Sequence, residues 1–429
     1  MRFEINGPQR HPVSKLRRPI GLASLAGAVL LGATLAGAQT KEPSKPSAPP
    51  ANSEQFERVV KEATAAREAN NSVQAIALYH KAVRLSPRWA EGWWYLGTLY
   101  YDSDHYPEGA KAFHNLVEVS PHYGAAWALL GLCEFEMKDY KNSFIHLQRG
   151  RVEGLGDNHD LIHVTRYHQA LVEILNGGFE DANSLLSSLV TENVLSNDVK
   201  LALGLALLHV PLLPNQIDPS KDSLVSAAGN IGELEALNDF DEAKKAFERL
   251  IHDYPTTPFV HYSYGAMLAE LSQYKESEQQ LLEEIKINPD SSMPYMQIAY
   301  VYIRENQFDD ALPVARKAVQ LVPESFAAHY LLGRTLLGLG QVNDSIRELT
   351  IAKRLGPYSP EVRYNLARAL ARAKRTREAA QEQAEFERLD ALVQRAQQKS
   401  QPQSYRESGE RGDVAPRQGQ APSAAGPPQ

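Results

Sequence analysis

The chain has 429 residues and a single cysteine, Cys133, which excludes an intramolecular disulfide and a cysteine-rich zinc site. It has no surplus of basic charge. With 45 Lys+Arg against 52 Asp+Glu the net charge is −7, so it lacks the electrostatic footprint of a nucleic-acid binder and no nucleic-acid partner is expected. Catalytic signatures are missing as well: there is no G-x-S-x-G, no H-E-x-x-H, no Gly-rich phosphate loop and no cysteine pair. These absences point away from an enzyme, and no cofactor is expected.

Only one long uncharged, largely apolar run occurs, the 19 residues from Ile20 to Ala38, preceded by Arg2, Arg10, Lys15, Arg17 and Arg18 and ending in Ala36-Gly37-Ala38. A basic start, an apolar middle and small residues two apart make an export signal. Cleavage is expected after Ala38, giving a periplasmic or secreted protein. An uncleaved anchor is the alternative, because 19 residues just reach across a bilayer, although the Gly and Ala content weakens insertion. After cleavage no stable membrane insertion is expected. Residues 39–53, with Pro43, Pro46, Pro49 and Pro50, read as an extended linker, and residues 397–429, rich in Gln, Pro and Gly, as a disordered tail.

Between these segments apolar residues recur at three- and four-residue spacing with no two-residue alternation, which predicts an all-α chain. A longer period overlies it. Pro255, Pro289, Pro323 and Pro357 are 34 residues apart, as are Gly265, Ala299, Gly333 and Ala367, and Ala243, Ser277, Ala311, Ser345 and Ala379. Pro87 and Pro121, Trp93 and Trp127, and Gly97 and Gly131 keep the same step. Each period reads as helix A, a turn, helix B and a closing proline, with small residues where A and B cross. A single pair leaves an apolar face uncovered, so stability must come from stacking neighbours.

These residues resemble the tetratricopeptide repeat. Its pattern, W-x2-L-G-x2-Y followed by Ala, Phe, Ala and Pro, is met most fully by Trp93, Leu96, Gly97, Tyr100, Gly109, Phe113 and Pro121. Ala75, Tyr79, Ala82 and Pro87 match the unit before it, and Ala299, Tyr302, Ala311, Ala318 and Pro323 a later one. Units are expected at 56–89, 90–123 and 124–157, a degenerate one at 163–196, and five from 224 to 393. That gives an N-terminal array over 54–196 and a C-terminal array with a terminal helix over 224–396. The resemblance implies an α-solenoid, a right-handed superhelix of helix pairs with a concave groove. Residues 197–223 interrupt it with Pro211, Pro214 and Pro219, and their apolar content favours a packed hinge over an exposed contact loop.

Candidate sites follow from spacing. His159, His163 and His168 with Asp160 include two histidines four apart, the one arrangement that suggests a metal-dependent enzyme. Junction histidines that are simply solvated are the stronger reading, so no metal ligand is assigned. Cys133, among Leu130, Leu132 and Phe135, reads as a small core residue.

In the family, one face of helix A lines the groove. Here those positions, read with neighbouring Asn365, supply Tyr300, Arg304, Tyr330, Arg334, Tyr364, Asn365, Arg368 and Arg372, a basic and aromatic ladder suited to carboxylates and peptide amides. The opposing reading is a solvated face in which Glu361 and Glu378 pair with the arginines. The N-terminal groove positions supply Trp94 and Tyr101 beside Glu91, Asp102, Phe135 and Glu136. Trp94 either anchors a partner or covers Trp93. The chain is therefore expected to be a non-catalytic adaptor of the cell envelope. It would bind a protein or peptide, through an acidic segment or a C-terminal carboxylate, in the groove. The alternative is a scaffold that assembles an envelope or secretion complex through its convex face and loops.

Overall fold

The computed structural model describes residues 53–400; the expected export signal, almost all of the linker and the tail beyond residue 400 lie outside the described residues. Nineteen α-helices and no strand occur among the described residues. No described helix is long and apolar enough to cross a membrane. The chain forms an α-solenoid of helix pairs, divided into two compact units at Tyr264 and Gly265.

The first unit begins with α1 (Ser53–Glu68) and α2 (Ser72–Leu85), then α3 (Ala90–Asp102) and α4 (Tyr106–Val119), α5 (Gly124–Glu136) and α6 (Tyr140–Glu153), and α7 (His159–Asn176) and α8 (Phe179–Thr191). It continues through α9 (Asn197–Leu207), α10 (Asp222–Ala236) and α11 (Phe240–Asp253) into α12 (Val260–Glu270). Short polar side chains start many of these helices: Asn71, Asp139, Asn158, Ser196 and Asp239 each accept a backbone N–H of the first turn.

The A–B crossings obey the small-residue rule for a steric reason. A Cβ placed on Gly97 would lie 2.6 Å from the Phe113 ring, and one on Gly131 would lie 2.8 Å from Leu147. The segment 197–223 is built largely as structure: its first 11 residues are α9, and two single 3₁₀ turns, Pro214–Gln216 and Pro219–Lys221, lead into α10. Helices α9 and α10 touch backbone to backbone, since a Cβ on Gly204 would fall 2.1 Å from Val225 O and one on Gly229 2.1 Å from Lys200 O. Leu213 is buried within the connecting stretch.

The second unit holds the remainder of α12, then α13 (Tyr274–Ile287), α14 (Ser292–Arg304), α15 (Phe308–Leu321), α16 (Phe326–Gly338), α17 (Val342–Leu355), α18 (Pro360–Arg372) and α19 (Thr376–Ser400). The same crossing recurs. Ser277 Oγ donates to Gly265 O at 2.6 Å and Ser345 Oγ to Gly333 O at 2.7 Å, so the small residue of helix B bonds the backbone of helix A where they meet. Gly265 and Gly333 lie against Leu281 and Leu349, whereas Ala299 occupies their column together with Ala315 at the equivalent facing position. The A helices α14, α16 and α18 touch in series, forming one layer of this unit.

Candidate partner-binding site

The three A helices of the second unit each carry a tyrosine followed four residues later by an arginine. That spacing puts the two side chains one turn apart on the same helix face. The Arg304 guanidinium lies 5.9 Å from the Tyr300 ring centre, Arg334 6.0 Å from Tyr330, and Arg368 5.5 Å from Tyr364. Each ring holds its guanidinium by cation–π attraction while leaving N–H groups to donate elsewhere.

Bonds between repeats fix the array further. Asn365 Nδ2 donates to Tyr330 Oη at 3.2 Å and to Glu361 O at 2.9 Å, Arg372 Nη1 donates to Leu337 O at 2.7 Å, and Arg304 Nε donates to Tyr274 Oη at 3.3 Å. Burial raises the Tyr330 hydroxyl above its ordinary pKa, so it stays a neutral member of this network.

Among the described residues no carboxylate pairs with Arg304, Arg334, Arg368 or Arg372. Glu378 is taken by Arg375, and Glu361 accepts the Ser359 hydroxyl. Four guanidinium groups are thus held in place with their charge uncompensated by a neighbouring acid. Tyr364 is 42 % exposed and Arg304, Arg368 and Arg372 are exposed, so the face is open to a ligand. Asn365 differs from the rest: at 5 % exposure it orients Tyr330 and has little surface to offer a partner directly.

The N-terminal candidates fare differently. Trp94 is corrected to a core residue, 2 % exposed, with its ring centre 6.1 Å from Phe113 and 5.1 Å from Tyr123. Ala125, Ala126 and Ala128 belong to the same core cluster, and such short side chains leave the volume that an indole fills. Trp93 is the half-buried member of the pair, and its Nε1 donates to Pro87 O at 2.8 Å. Tyr101 is half-buried against Tyr106, ring centres 5.8 Å apart.

The histidines of the junction have separate partners. His163 Nε2 contacts Glu192 at 2.8 Å, while His168 Nδ1 contacts Val164 O at 2.8 Å and its ring sits 4.7 Å from Phe135. Among the described residues no group of three His, Cys, Asp or Glu side chains is arranged to hold a metal. Cys133 is fully buried, and that burial pushes its thiol far above the usual range, as befits a core residue.

The repeat geometry on both units accords with the sequence comparisons. The family model described as tetratricopeptide repeat matches residues 96–154, 233–292, 296–360 and 331–392, which together make half of the chain. The chain belongs to the tetratricopeptide-repeat family. Over 98 residues it is 35 % identical to tetratricopeptide repeat protein 33 of Mus musculus and 33 % identical to that of Homo sapiens, in each case 23 % of this chain. The match spans only 37 % of the length of these curated relatives. Among solved structures, MamA 41-end from Desulfovibrio magneticus RS-1 aligns with a TM-score of 0.37 and 22 % identity, over 39 % of this chain and 94 % of that one.

Proposed function

We propose that this protein is a non-catalytic adaptor that captures an acidic segment of a partner protein on the Tyr–Arg face of α14, α16 and α18. One observation carries the reading: four arginines, three of them lodged over tyrosine rings on successive A helices, face outward without a carboxylate partner. Guanidinium groups fixed in this way can form charge-assisted hydrogen bonds with carboxylates at a reduced entropic cost, and the tyrosines add flat contact area beside them. Membership of an interaction-repeat family supports the same role. The basic, apolar, small-residue order of residues 1–38 supports export, and we place the adaptor in the cell envelope on that ground.

The test uses the whole protein and fluorescent peptides of Glu and Leu, with Gln-for-Glu controls, read by anisotropy. Arg304→Gln, Arg334→Gln, Arg368→Gln and Arg372→Gln combined should weaken binding at least about tenfold at unchanged helicity, since charge-assisted bonds contribute roughly 1.5–3 kcal/mol each when fully formed. Equal affinity of the variant, or equal binding of the Gln peptide, would remove the arginines from the site. Export is checked separately, by finding whether the protein from the cell envelope begins near Gln39.

A further inference from the structure

Away from the Tyr–Arg face, the least explained chemistry of the first unit lies where α8, α9 and α12 meet. His209 follows the C-terminus of α9 with φ +53, and Phe259 precedes α12 with φ +69. His209 takes the left-handed turn that ends α9, its N–H bonding Ala206 O at 3.1 Å, whereas Phe259 is a bulky residue strained in that region. Their rings stack on each other, centres 4.5 Å apart and only 5° from parallel. Phe179, the first residue of α8, covers the imidazole at 4.6 Å, and Tyr262 meets it edge-on at 5.4 Å. One imidazole therefore joins three helices. Ser263 Oγ donating to Leu207 O at 2.8 Å and Tyr262 Oη donating to Glu180 Oε1 at 3.3 Å close the joint on either side.

One edge of the imidazole lacks polar support. His209 Nδ1 is shut off from water and has no hydrogen-bond partner. The titratable groups nearest the box on the packed elements are Glu180, engaged with Tyr262, and Asp181 on the first turn of α8, and His261 and Tyr262 on α12; near its C-terminus α9 contributes only His209. Aromatic faces attract an imidazolium, but they offer no acceptor for a second N–H.

We propose that this box is an acid-operated latch. Protonation of His209 puts a cation among the three rings while Nδ1, which is closed off from water, has no acceptor for an N–H, and the first turn of α12 then parts from α8 and α9. Burial holds the imidazole at a pKa of about 4, below the ordinary histidine value, so the closed joint resists the proton and the open one accepts it. Opening is therefore favoured as pH falls below the ordinary histidine range.

Hydrogen exchange of the whole protein at pH 7 and pH 5, corrected for intrinsic rates, tests the latch. Amides of residues 205–210 and 259–264 should open about tenfold or more readily at pH 5, the factor that linkage gives for such a pair of pKa values. His209→Phe keeps a stacking ring without a titrating group, so its exchange in these segments should not respond to pH. Equal protection of the wild type at both pH values, or the same acid response in the variant, overturns the proposal. Should the variant not fold, the wild-type ring is followed by carbon NMR. Titration well below the ordinary histidine range together with lost protection supports the latch, and ordinary titration defeats it.

Discussion

A lysine held in a left-handed turn is a small, measurable flaw, and among the described residues two of them occupy one repeating position. Asn70, Asp104 and Lys138 in the first unit, and Ser272, Asn306, Gly340 and Lys374 in the second, fall 34 residues apart within each unit and all have φ between +56 and +74. Each sits just after helix A, where a positive φ lets the chain reverse: Lys374 N–H bonds Ala371 O at 3.0 Å and Arg375 N–H bonds Leu370 O at 2.9 Å. A residue with a Cβ loses about 1–2 kcal/mol there, and glycine avoids that at an entropic cost of roughly 0.5–1 kcal/mol. Lys374 is exposed and makes no ion pair, so Lys374→Gly should stabilise the protein by about 0.5–1 kcal/mol. Urea denaturation checks it, and a lowered midpoint would show that the lysine contributes something its contacts do not reveal.

Between helices, the fourth position of helix A works as a hydrogen-bond donor to the carbonyl of the preceding proline. Trp93 bonds Pro87 O at 2.8 Å, Trp127 bonds Pro121 O at 2.8 Å, and Arg363 bonds Pro357 O at 3.1 Å. His329 contacts Pro323 O at 2.9 Å in the same way. Each also faces the residue 19 positions on in helix B or its equivalent column: Trp127 meets His146 with ring centres 5.2 Å apart, His329 meets Glu348 at 2.7 Å, and Arg363 meets Glu382 at 2.8 Å, while Ala112 holds that place after Trp93. Glu348→Ala alone should cost about 1–3 kcal/mol by leaving a buried histidine short of a partner. His329→Trp combined with Glu348→Ala recreates the Trp93 and Ala112 pair and should recover at least half of that loss in thermal denaturation; no recovery would show that the two repeats pack differently around the column. The proline and small-residue columns were legible in the sequence because sterics allow few residue types there. The donor column was only half legible, since indole, imidazole and guanidinium do one job with unrelated side chains. The left-handed column was hidden by Asn, Asp, Lys and Ser sharing it with one Gly. For the candidate site, four-residue spacing sufficed to bring out the Tyr–Arg pairs, whereas the burial of Trp94 depends on alanines of α5, in the next repeat, that spacing does not reveal.

Over the molecule, charge is divided unevenly: residues 53–264 carry 29 Asp and Glu against 17 Lys and Arg, residues 265–400 carry 18 of each, and residues 326–377 hold ten basic side chains against three acidic ones. The proposed acidic segment is accordingly attracted by the basic stretch of the second unit and repelled by the first, and salt should weaken capture to the extent that it screens that attraction. Proton binding adds a global dependence that one residue makes testable. The His209 pKa is about 4 when folded and near 6.5 when unfolded, so the unfolded chain takes up a proton across this range and the folded chain does not. Above pH 6.5 both states are neutral at this ring and no stability is at stake. As the pH falls from about 6.5 to about 4, stability drains away by about 1.4 kcal/mol per pH unit, reaching about 3 kcal/mol before the folded ring itself protonates. Carboxylates that are ion-paired in the fold, such as Glu192 with Arg166 and His163, lose stability in acid too, but mostly below pH 4.5, their ordinary range. Comparison with His209→Phe isolates the histidine: the unfolding free energies of the two proteins should run parallel above pH 6.5 and separate by about 2 kcal/mol near pH 5, the wild type falling faster. Curves that stay parallel down to pH 4 would mean that the aromatic box accommodates the imidazolium as readily as water does.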